Sequence, residues 1–350
     1  MEFLKEQFHE SLYAEIKDNK IIIANSAFDV SQLLKENDHT AYETAFSSWK
    51  NDKKVENLLK ADEVLELFGN KQRFKKLKQN YENTGVIPFV GAGMSITSGY
   101  LGWTDFLKEL RTETRVTESE LDNLLDDGLF EEAAQKLYDD LPAGAFDESL
   151  DNYFGIDEDL SGPIQYFPKL FDSCIITTNF DSVLKRVYDV ENKSFSLVCT
   201  AKQTTEIGRI ISSGESILIK LHGDARIKRD RVITLSEYIN AYEEEDTLIK
   251  LFDIFKHKTM LFLGCSLTCD RTIKTLQKIV DKEGPENVAR HYAFVPCYSD
   301  EDRLEKRDYL ARANIYPIWY EAEKFTHDEV IESLLFKLDE ENDSIFGGKL

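Results

Sequence analysis

The sequence lacks any apolar run long enough to cross a lipid bilayer. Its longest apolar stretches, such as residues 86–90 and 259–263, fall far short of the roughly 20 apolar residues that a spanning helix needs. Residues 1–9 show neither the basic segment nor the apolar segment of a secretory signal peptide. These absences predict a cytoplasmic protein that does not enter a membrane.

The sequence also has no excess of basic residues, and its formal net charge is -22 at pH 7. Such a surface repels the phosphates of nucleic acid and of anionic lipid. We therefore do not expect direct nucleic-acid binding or membrane binding. A small phosphorylated ligand is still compatible with this charge, since helix N-termini and backbone amides bind phosphate without basic side chains.

Cysteine is scarce and cannot be fully paired, because there are five cysteines. They are Cys174, Cys199, Cys265, Cys269 and Cys297. Several of them lie in apolar, strand-like runs, which is typical of buried, reduced thiols in a cytoplasmic protein. The plentiful aromatic residues, 22 Phe and 15 Tyr, indicate a packed core and argue against disorder.

The pattern of the chain changes near residue 83. Before it, apolar residues recur at helical spacing, which predicts an N-terminal helical region over residues 1–82 with one strand-like run at 20–24. After it, we predict one domain over residues 83–350.

Buried apolar strands alternate with helices in this second part, which is typical of an α/β fold. We predict a Rossmann-like parallel sheet with helices on both faces and a helical insertion at about residues 104–168. The predicted strands lie at residues 86–90, 173–177, 195–199, 216–221, 259–263, 292–295 and 315–319.

The first strand runs into a glycine-containing loop and then a helix. Gly91 and Gly93 allow a tight turn, and such a loop directs backbone N–H groups towards a bound phosphate. Ser95 adds a hydroxyl group. Ile96 stands where a dinucleotide-binding dehydrogenase has its third glycine. A plain turn between strand and helix explains these residues equally well.

Three further strands also end in polar residues, at the edge where parallel α/β sheets bind ligands. Asn179 and Asp181 follow one strand, and the alternative is that either caps the next helix. His222 follows another, placed for acid–base chemistry, and the alternative is a structural loop histidine. Gly264 and Ser266 follow the last, and they suit either contacts with ribose or phosphate or a simple turn.

Together the four motifs, Gly-Ala-Gly-x-Ser, Thr-Asn-Phe-Asp, His-Gly and Gly-Cys-Ser-Leu, resemble those of the sirtuin superfamily in this order. They are most similar to its bacterial branch in antiphage defence, and the resemblance covers roughly residues 86–319. It implies that the chain binds NAD+ as a substrate. The resemblance implies that pyrophosphate is bound by Gly91, Ala92, Gly93 and Ser95, and that the adenosine ribose is contacted by Gly264, Ser266 and Leu267. It implies that Asn179 orders the ribose or the attacking water and that Asp181 binds the nicotinamide carboxamide. It also implies that His222 is the catalytic histidine.

The sequence departs from the protein-deacetylating sirtuins at their zinc module. Those enzymes hold a structural zinc with two Cys-x-x-Cys pairs, and this chain has none. We therefore expect no zinc, and a peptide substrate becomes doubtful because the helical insertion occupies that region. Residues 99–103 also lack the proline and the arginine of the sirtuin cofactor loop, so the resemblance does not define how the nicotinamide pocket closes.

The resemblance implies an NAD+ glycohydrolase that forms nicotinamide and ADP-ribose and depletes NAD+ in defence against phage. It further implies a homo-oligomer and a partner such as a HerA-like ATPase or an Argonaute-type protein. Two alternatives remain: a module that senses NAD+ or ADP-ribose without turnover, and an ADP-ribosyltransferase or deacylase. A nuclease is disfavoured by the acidic charge and by the absence of a carboxylate cluster in the sequence.

Overall fold

A computed structural model describes residues 2–15, 20–23, 26–243, 246–267 and 271–348. Its helices are α1 (Glu2–Glu15), α2 (Val30–Asn37), α3 (His39–Leu65), α4 (Asn70–Thr84), α5 (Trp103–Arg111), α6 (Glu118–Asp126), α7 (Phe130–Asp140), α8 (Ala145–Phe154), α9 (Phe167–Leu170), α10 (Val183–Val190), α11 (Thr204–Ser213), α12 (Leu235–Tyr238), α13 (Thr247–Phe255), α14 (Arg271–Glu283), α15 (Asp300–Ala311) and α16 (His327–Leu338). Its strands are β1 (Lys20–Ile23), β2 (Ser26–Asp29), β3 (Ile87–Val90), β4 (Cys174–Thr177), β5 (Leu197–Cys199), β6 (Ile217–Lys220), β7 (Met260–Leu263), β8 (His291–Cys297) and β9 (Ile315–Glu321).

The chain divides into two compact units. The smaller unit takes in the residues up to Glu63 together with those from Glu332 onward, and the larger runs from Val64 to Ile331. The strand predicted at residues 20–24 is present as β1, which pairs with β2 in an antiparallel hairpin; residue 24 lies outside the described residues. The predicted domain limit near residue 82 stays a prediction.

The smaller unit is held by aromatic packing between its helices. Phe8 of α1 contacts Tyr42 and Phe46 of α3, with ring centroids 5.6 Å and 5.3 Å apart. These rings are almost completely buried. Asp29 is the N-cap of helix α2, because its side chain accepts hydrogen bonds from the backbone N–H groups of Ser31 and Gln32.

The larger unit is built on a seven-stranded sheet in the order β5-β6-β4-β3-β7-β8-β9. Every pairing in this sheet is parallel. All residues of β3, β4, β6 and β7 are buried, so protein covers both faces of the sheet, as parallel sheets require. The predicted α/β, Rossmann-like fold is confirmed.

The strand order places the ligand crevice at the centre of the sheet. From β3 the chain proceeds to β4 on one side, whereas β7 and the strands after it lie on the other. Ligands bind to such folds at the carboxyl ends of the strands where this reversal occurs. The register aligns those ends, because Val90 pairs with both Thr177 and Leu263, and Thr177 pairs with Lys220.

The helical insertion is present between β3 and β4. Its helices α5 to α8 pack around aromatic residues, and the rings of Phe106 and Phe154 lie 5.1 Å apart with Phe106 fully buried. Helix α6 begins with a capping box, in which Thr117 and Glu120 satisfy each other's backbone N–H groups.

Two details concern the regularity of single elements. Pro88 predicts that residues 86–90 are not an ordinary central strand throughout; β3 is the central strand, and its register with β4 begins only at Phe89, after the proline that lacks an N–H group. The sequence pattern of residues 236–255 predicts one continuous helix, but the structure shows an interrupted one. It comprises α12, a π-helical turn (Ile239–Glu243) and α13, with residues 244–245 outside the described residues.

Candidate active site

A cavity of about 410 Å³ opens at the carboxyl ends of β3, β4, β6 and β7. This volume lies in the usual range for small-molecule sites. Four separate loops therefore contribute to one site. The cavity is lined by every residue of the predicted site except Ser95, namely Gly91, Ala92, Gly93, Asn179, Asp181, His222, Gly264, Ser266 and Leu267.

The loops after β3 and β7 pack directly against each other through their glycines. A Cβ atom on Gly91 would lie 2.5 Å from the carbonyl oxygen of Gly264, and a Cβ atom on Gly264 would lie 2.5 Å from the backbone nitrogen of Met94. Gly264 also has a φ of 66°, a value that L-residues rarely adopt. Any side chain at either position would push the two loops apart.

This packing also decides which backbone N–H groups face the cavity. The N–H of Gly91 donates to Leu263 O and that of Gly93 donates to Gly264 O, both at 2.9 Å. The glycines thus hold the two loops together, while no hydrogen bond joins the N–H of Ala92 to a described residue. Within this loop, Ala92 is the better placed to donate to a phosphate oxygen.

Asn179 is buried and held in one orientation. Its Nδ2 donates to Gly91 O at 3.1 Å and to Ser95 Oγ at 3.0 Å. Because a carbonyl oxygen only accepts, the nitrogen must lie on this side of the amide. The Oδ1 atom is buried and has no hydrogen-bond partner among the described residues. It is an acceptor held ready for a hydroxyl group or a water molecule in the cavity.

Ser95 lies behind the cavity lining and connects two predicted site residues. Its hydroxyl accepts from Asn179 Nδ2 at 3.0 Å, and the same hydroxyl helps to lower the pKa of the Asp181 carboxyl. Burial raises the pKa of the Asp181 carboxyl, and the Lys220 cation and the N–H of Val183 oppose that rise. A direct contact of Ser95 with pyrophosphate stays a prediction.

His222 follows β6 and is half-buried at the cavity wall, with its ring centroid 5.8 Å from that of Phe180. Neither ring nitrogen is hydrogen-bonded to a described residue. Burial lowers the pKa of the imidazole to about 4, so the ring is neutral near pH 7 and able to accept a proton.

The loop after β7 carries backbone strain at Leu267, which is buried and has a φ of 51°. A branched side chain in this conformation costs on the order of 1–3 kcal/mol, and such strain concentrates at functional sites. Ser266 beside it is exposed. Residues 268–270, which include Cys269, lie outside the described residues.

Several cavity residues carry no signal in the sequence. Some come from the helical insertion and from the interrupted helix, whose aromatic residues look like ordinary core residues. Arg271 also lines the cavity; its guanidinium lies 4.3 Å from the ring centroid of Tyr238 and 2.9 Å from the carboxylate of Glu132. The further aromatic residues of the lining are Phe89, Trp103, Phe130, Phe154, Phe180, Tyr242 and Phe262.

Within the part of the chain that the structure describes, no group of three His, Cys, Asp or Glu side chains is arranged to hold a metal ion. Cys174, Cys199, Cys265 and Cys297 are free thiols. Among the same residues, no helix has the length and apolarity needed to cross a membrane.

Residues 173–318 match the family model of the SIR2-like domain. This segment spans β4 to β9 and therefore includes three of the four motifs. This match agrees with a parallel sheet whose strand ends gather Asn179, Asp181 and His222 at one cavity.

The chain is similar to curated proteins of bacterial origin. It is 26% identical over 243 residues to an NAD(+) hydrolase ThsA of Bacillus cereus (strain MSX-D12), covering 68% of this chain and 47% of that protein. It is 23% identical over 238 residues to an NAD(+) hydrolase ThsA of Enterococcus faecium, covering 67% and 48%. It is 24% identical over 198 residues to Defense-associated sirtuin 2 of Bacillus subtilis, covering 55% and 19%.

These similarities confirm the predicted resemblance to the sirtuin superfamily and to its defence-associated branch. The chain spans about half the length of the NAD(+) hydrolases that it matches.

Proposed function

We propose that this protein hydrolyses the nicotinamide–ribose bond of NAD+ to give nicotinamide and ADP-ribose. The observation that carries this proposal is the buried Oδ1 of Asn179, which has no partner among the described residues and belongs to a side chain that lines the same cavity as a neutral His222. The names of the similar proteins support the same substrate and the same reaction.

The chemistry requires little acid catalysis. Cleavage passes through a ribose with oxocarbenium character, as in glycoside hydrolysis, and nicotinamide leaves as a neutral molecule. The protein must orient the substrate, exclude competing reactions and place one water molecule. Oδ1 of Asn179 is an acceptor for a ribose hydroxyl or for that water, and its fixed amide needs no reorganisation.

His222 supplies the base. With a pKa of about 4 its imidazole is unprotonated at neutral pH, so it can take a proton from the water or from a ribose hydroxyl. Asp181 completes the set as the group proposed to bind the nicotinamide carboxamide. The loops after β3 and β7 are proposed to hold the pyrophosphate and the adenosine ribose.

The proposal is tested by incubating the purified protein with NAD+ and separating nicotinamide and ADP-ribose by chromatography. His222→Ala should lower the rate of nicotinamide release by roughly a hundredfold or more, the usual contribution of a general base. The matched control is His257→Ala, because His257 is exposed and lies outside the cavity lining. Saturable NAD+ binding without any release would instead favour a sensor of NAD+ or ADP-ribose.

We further propose that the protein acts in the cytoplasm, as a homo-oligomer, and depletes NAD+ in defence against phage. A partner of the HerA-like ATPase or Argonaute type belongs to the same proposal. The defence role is supported by the similarity to Defense-associated sirtuin 2. Light scattering of the purified chain tests the oligomer, and a monomer at micromolar concentration would count against it.

A further inference from the structure

Lys220 is a buried cation next to the candidate active site. It is the last residue of β6, two positions before His222, and only 6% of its surface is exposed. Lysine is rarely buried unless its ammonium group is paired, because desolvation of a charge is costly. Its surroundings must therefore satisfy the charge and all of its donors.

The ammonium group of Lys220 has three acceptors for its three N–H donors. It donates to Phe180 O at 3.1 Å, to Asp181 O at 2.8 Å and to Asp224 Oδ2 at 2.8 Å. The other carboxylate oxygen of Asp224 accepts from the backbone N–H of Arg226 at 3.1 Å. Every polar side-chain atom of the buried Lys220 and the half-buried Asp224 is thus occupied.

These acceptors belong to two different loops. Phe180 and Asp181 lie on the loop after β4, which carries Asn179, whereas Asp224 lies on the loop after β6, which carries His222. We propose that Lys220 is a positioning residue that holds the loop of Asn179 and Asp181 against the loop of His222. The proposal rests on the function proposed above, because it assigns Lys220 a role in the same reaction.

The backbone around Lys220 is shaped to make this link. Gly223 has a φ of 76°, and a Cβ atom there would lie 2.2 Å from Asp230 O, so only glycine fits the turn that leads from His222 to Asp224. The turn directs the carboxylate of Asp224 back to Lys220. A second link, from the N–H of Ala225 to Phe180 O at 3.2 Å, fixes the same two loops.

A role limited to stability predicts different behaviour from a positioning role. Lys220 does not line the cavity, so its removal should leave the loops after β3 and β7 in place. We therefore expect kcat to change far more than the KM for NAD+. A displacement of about 1 Å at reacting groups costs roughly a hundredfold in rate.

The first variant is Lys220→Met, which keeps the length of the side chain and removes the charge and the donors. We expect kcat for nicotinamide release to fall roughly a hundredfold, with a change in KM of a few-fold. The matched control is Lys185→Met, because Lys185 also pairs with an aspartate four residues ahead, at 2.6 Å, but is exposed on α10. The control should keep the wild-type kcat.

A second variant, Asp224→Asn, covers the case in which Lys220→Met does not fold. It keeps the volume of the side chain and leaves Lys220 bonded to Phe180 O and Asp181 O. We expect an intermediate fall in kcat, roughly tenfold, since one of the two loops loses its charged anchor. A wild-type kcat in Asp224→Asn, or equal changes in kcat and KM in Lys220→Met, would overturn the positioning role.

Amide hydrogen exchange separates this proposal from the proposed function. In Lys220→Met, exchange of the amides of residues 178–183 should be at least tenfold faster than in the wild type, with no change in α10 of Lys185→Met. If the wild-type protein releases no nicotinamide, the proposed function fails. Unchanged exchange at residues 178–183 in both Lys220→Met and Asp224→Asn would show that Lys220 does not hold the loop.

Discussion

Two buried asparagines of the larger unit differ in what they leave unpaired. Asn70, at the start of α4, donates to Val64 O and Trp319 O at 2.8 Å and 2.7 Å and accepts from the N–H of Trp319 at 2.9 Å. Asn179 donates twice as well, but its Oδ1 has no partner among the described residues. The first residue joins a helix to an outer strand, and the second keeps an acceptor for something that enters the cavity.

Two histidines, His291 and His222, differ in whether they border the cavity. His291 of β8 accepts from the N–H of Met260 at 3.1 Å, and its buried Nε2 has no partner among the described residues. It does not line the cavity, whereas His222 does. An unpaired polar atom therefore indicates a ligand site only where it borders a space that a ligand can enter. Elsewhere an unpaired polar atom lowers the stability of the fold, and the packing of the surrounding core compensates for it.

The largest effect should come from Asn179→Ala. Removing a fixed polar group that acts on the reacting atoms costs on the order of a hundredfold to a thousandfold in kcat. The fold should survive, because Gly91 O and Ser95 Oγ lose only one partner each. Steady-state release of nicotinamide and thermal unfolding measure the two effects together. Wild-type turnover in this variant would remove Asn179 from the mechanism.

Asn70→Ala should produce the opposite result. It leaves the N–H and carbonyl groups of Trp319 without partners in a buried position, which should lower the free energy of unfolding by roughly 3 kcal/mol. Turnover per folded molecule should stay at the wild-type value. Urea unfolding measures the loss, and Asn83→Ala is the control, since Asn83 is exposed on the same helix. A loss of turnover without a loss of stability would contradict the contrast with Asn179.

A smaller effect should appear in the pH dependence of stability. Burial lowers the pKa of His291 from 6.5 to about 4, so the unfolded chain binds more protons between these values. Stability is therefore complete above pH 6.5 and falls as the pH drops towards 4. His291→Asn keeps an acceptor near the position of Nδ1 but has no group that titrates in this range. Between pH 7 and pH 5, its free energy of unfolding should fall by about 2 kcal/mol less than that of the wild type. Urea unfolding at the two pH values tests this, and parallel losses would contradict it.

Much of the fold was predictable because its signals are local. Buried runs such as residues 174–176 and 260–263 are apolar throughout, and each leads within three residues to an asparagine or a glycine. Parallel strands then bring their carboxyl ends to one edge whatever the lengths of the connections. The interruption at residues 239–243 was not predictable, because the sequence there keeps helical spacing and only packing reveals the π-helical turn.

The division of roles within the site could not be predicted in the same way. The sequence assigned Gly91, Ala92, Gly93 and Ser95 to the pyrophosphate as one group, and it did not show that the N–H groups of Gly91 and Gly93 bond to Leu263 O and Gly264 O. Arg271 and Tyr238 had no distinguishing pattern, although both line the cavity. Such assignments depend on which groups already have partners, and a linear pattern does not contain that information.

By itself, the sequence determined the parallel α/β sheet and the order of four polar strand ends, because apolar strands and turn residues are properties of short segments. Only the tertiary structure decided which atoms remain available. The amide of Asn179 is fixed by residues 88 and 84 positions away, and Lys220 meets its acceptors 40 and 39 positions away. Hydrogen bonds of this kind form only after the sheet has brought distant loops together, so they depend on three-dimensional distance and not on spacing along the chain.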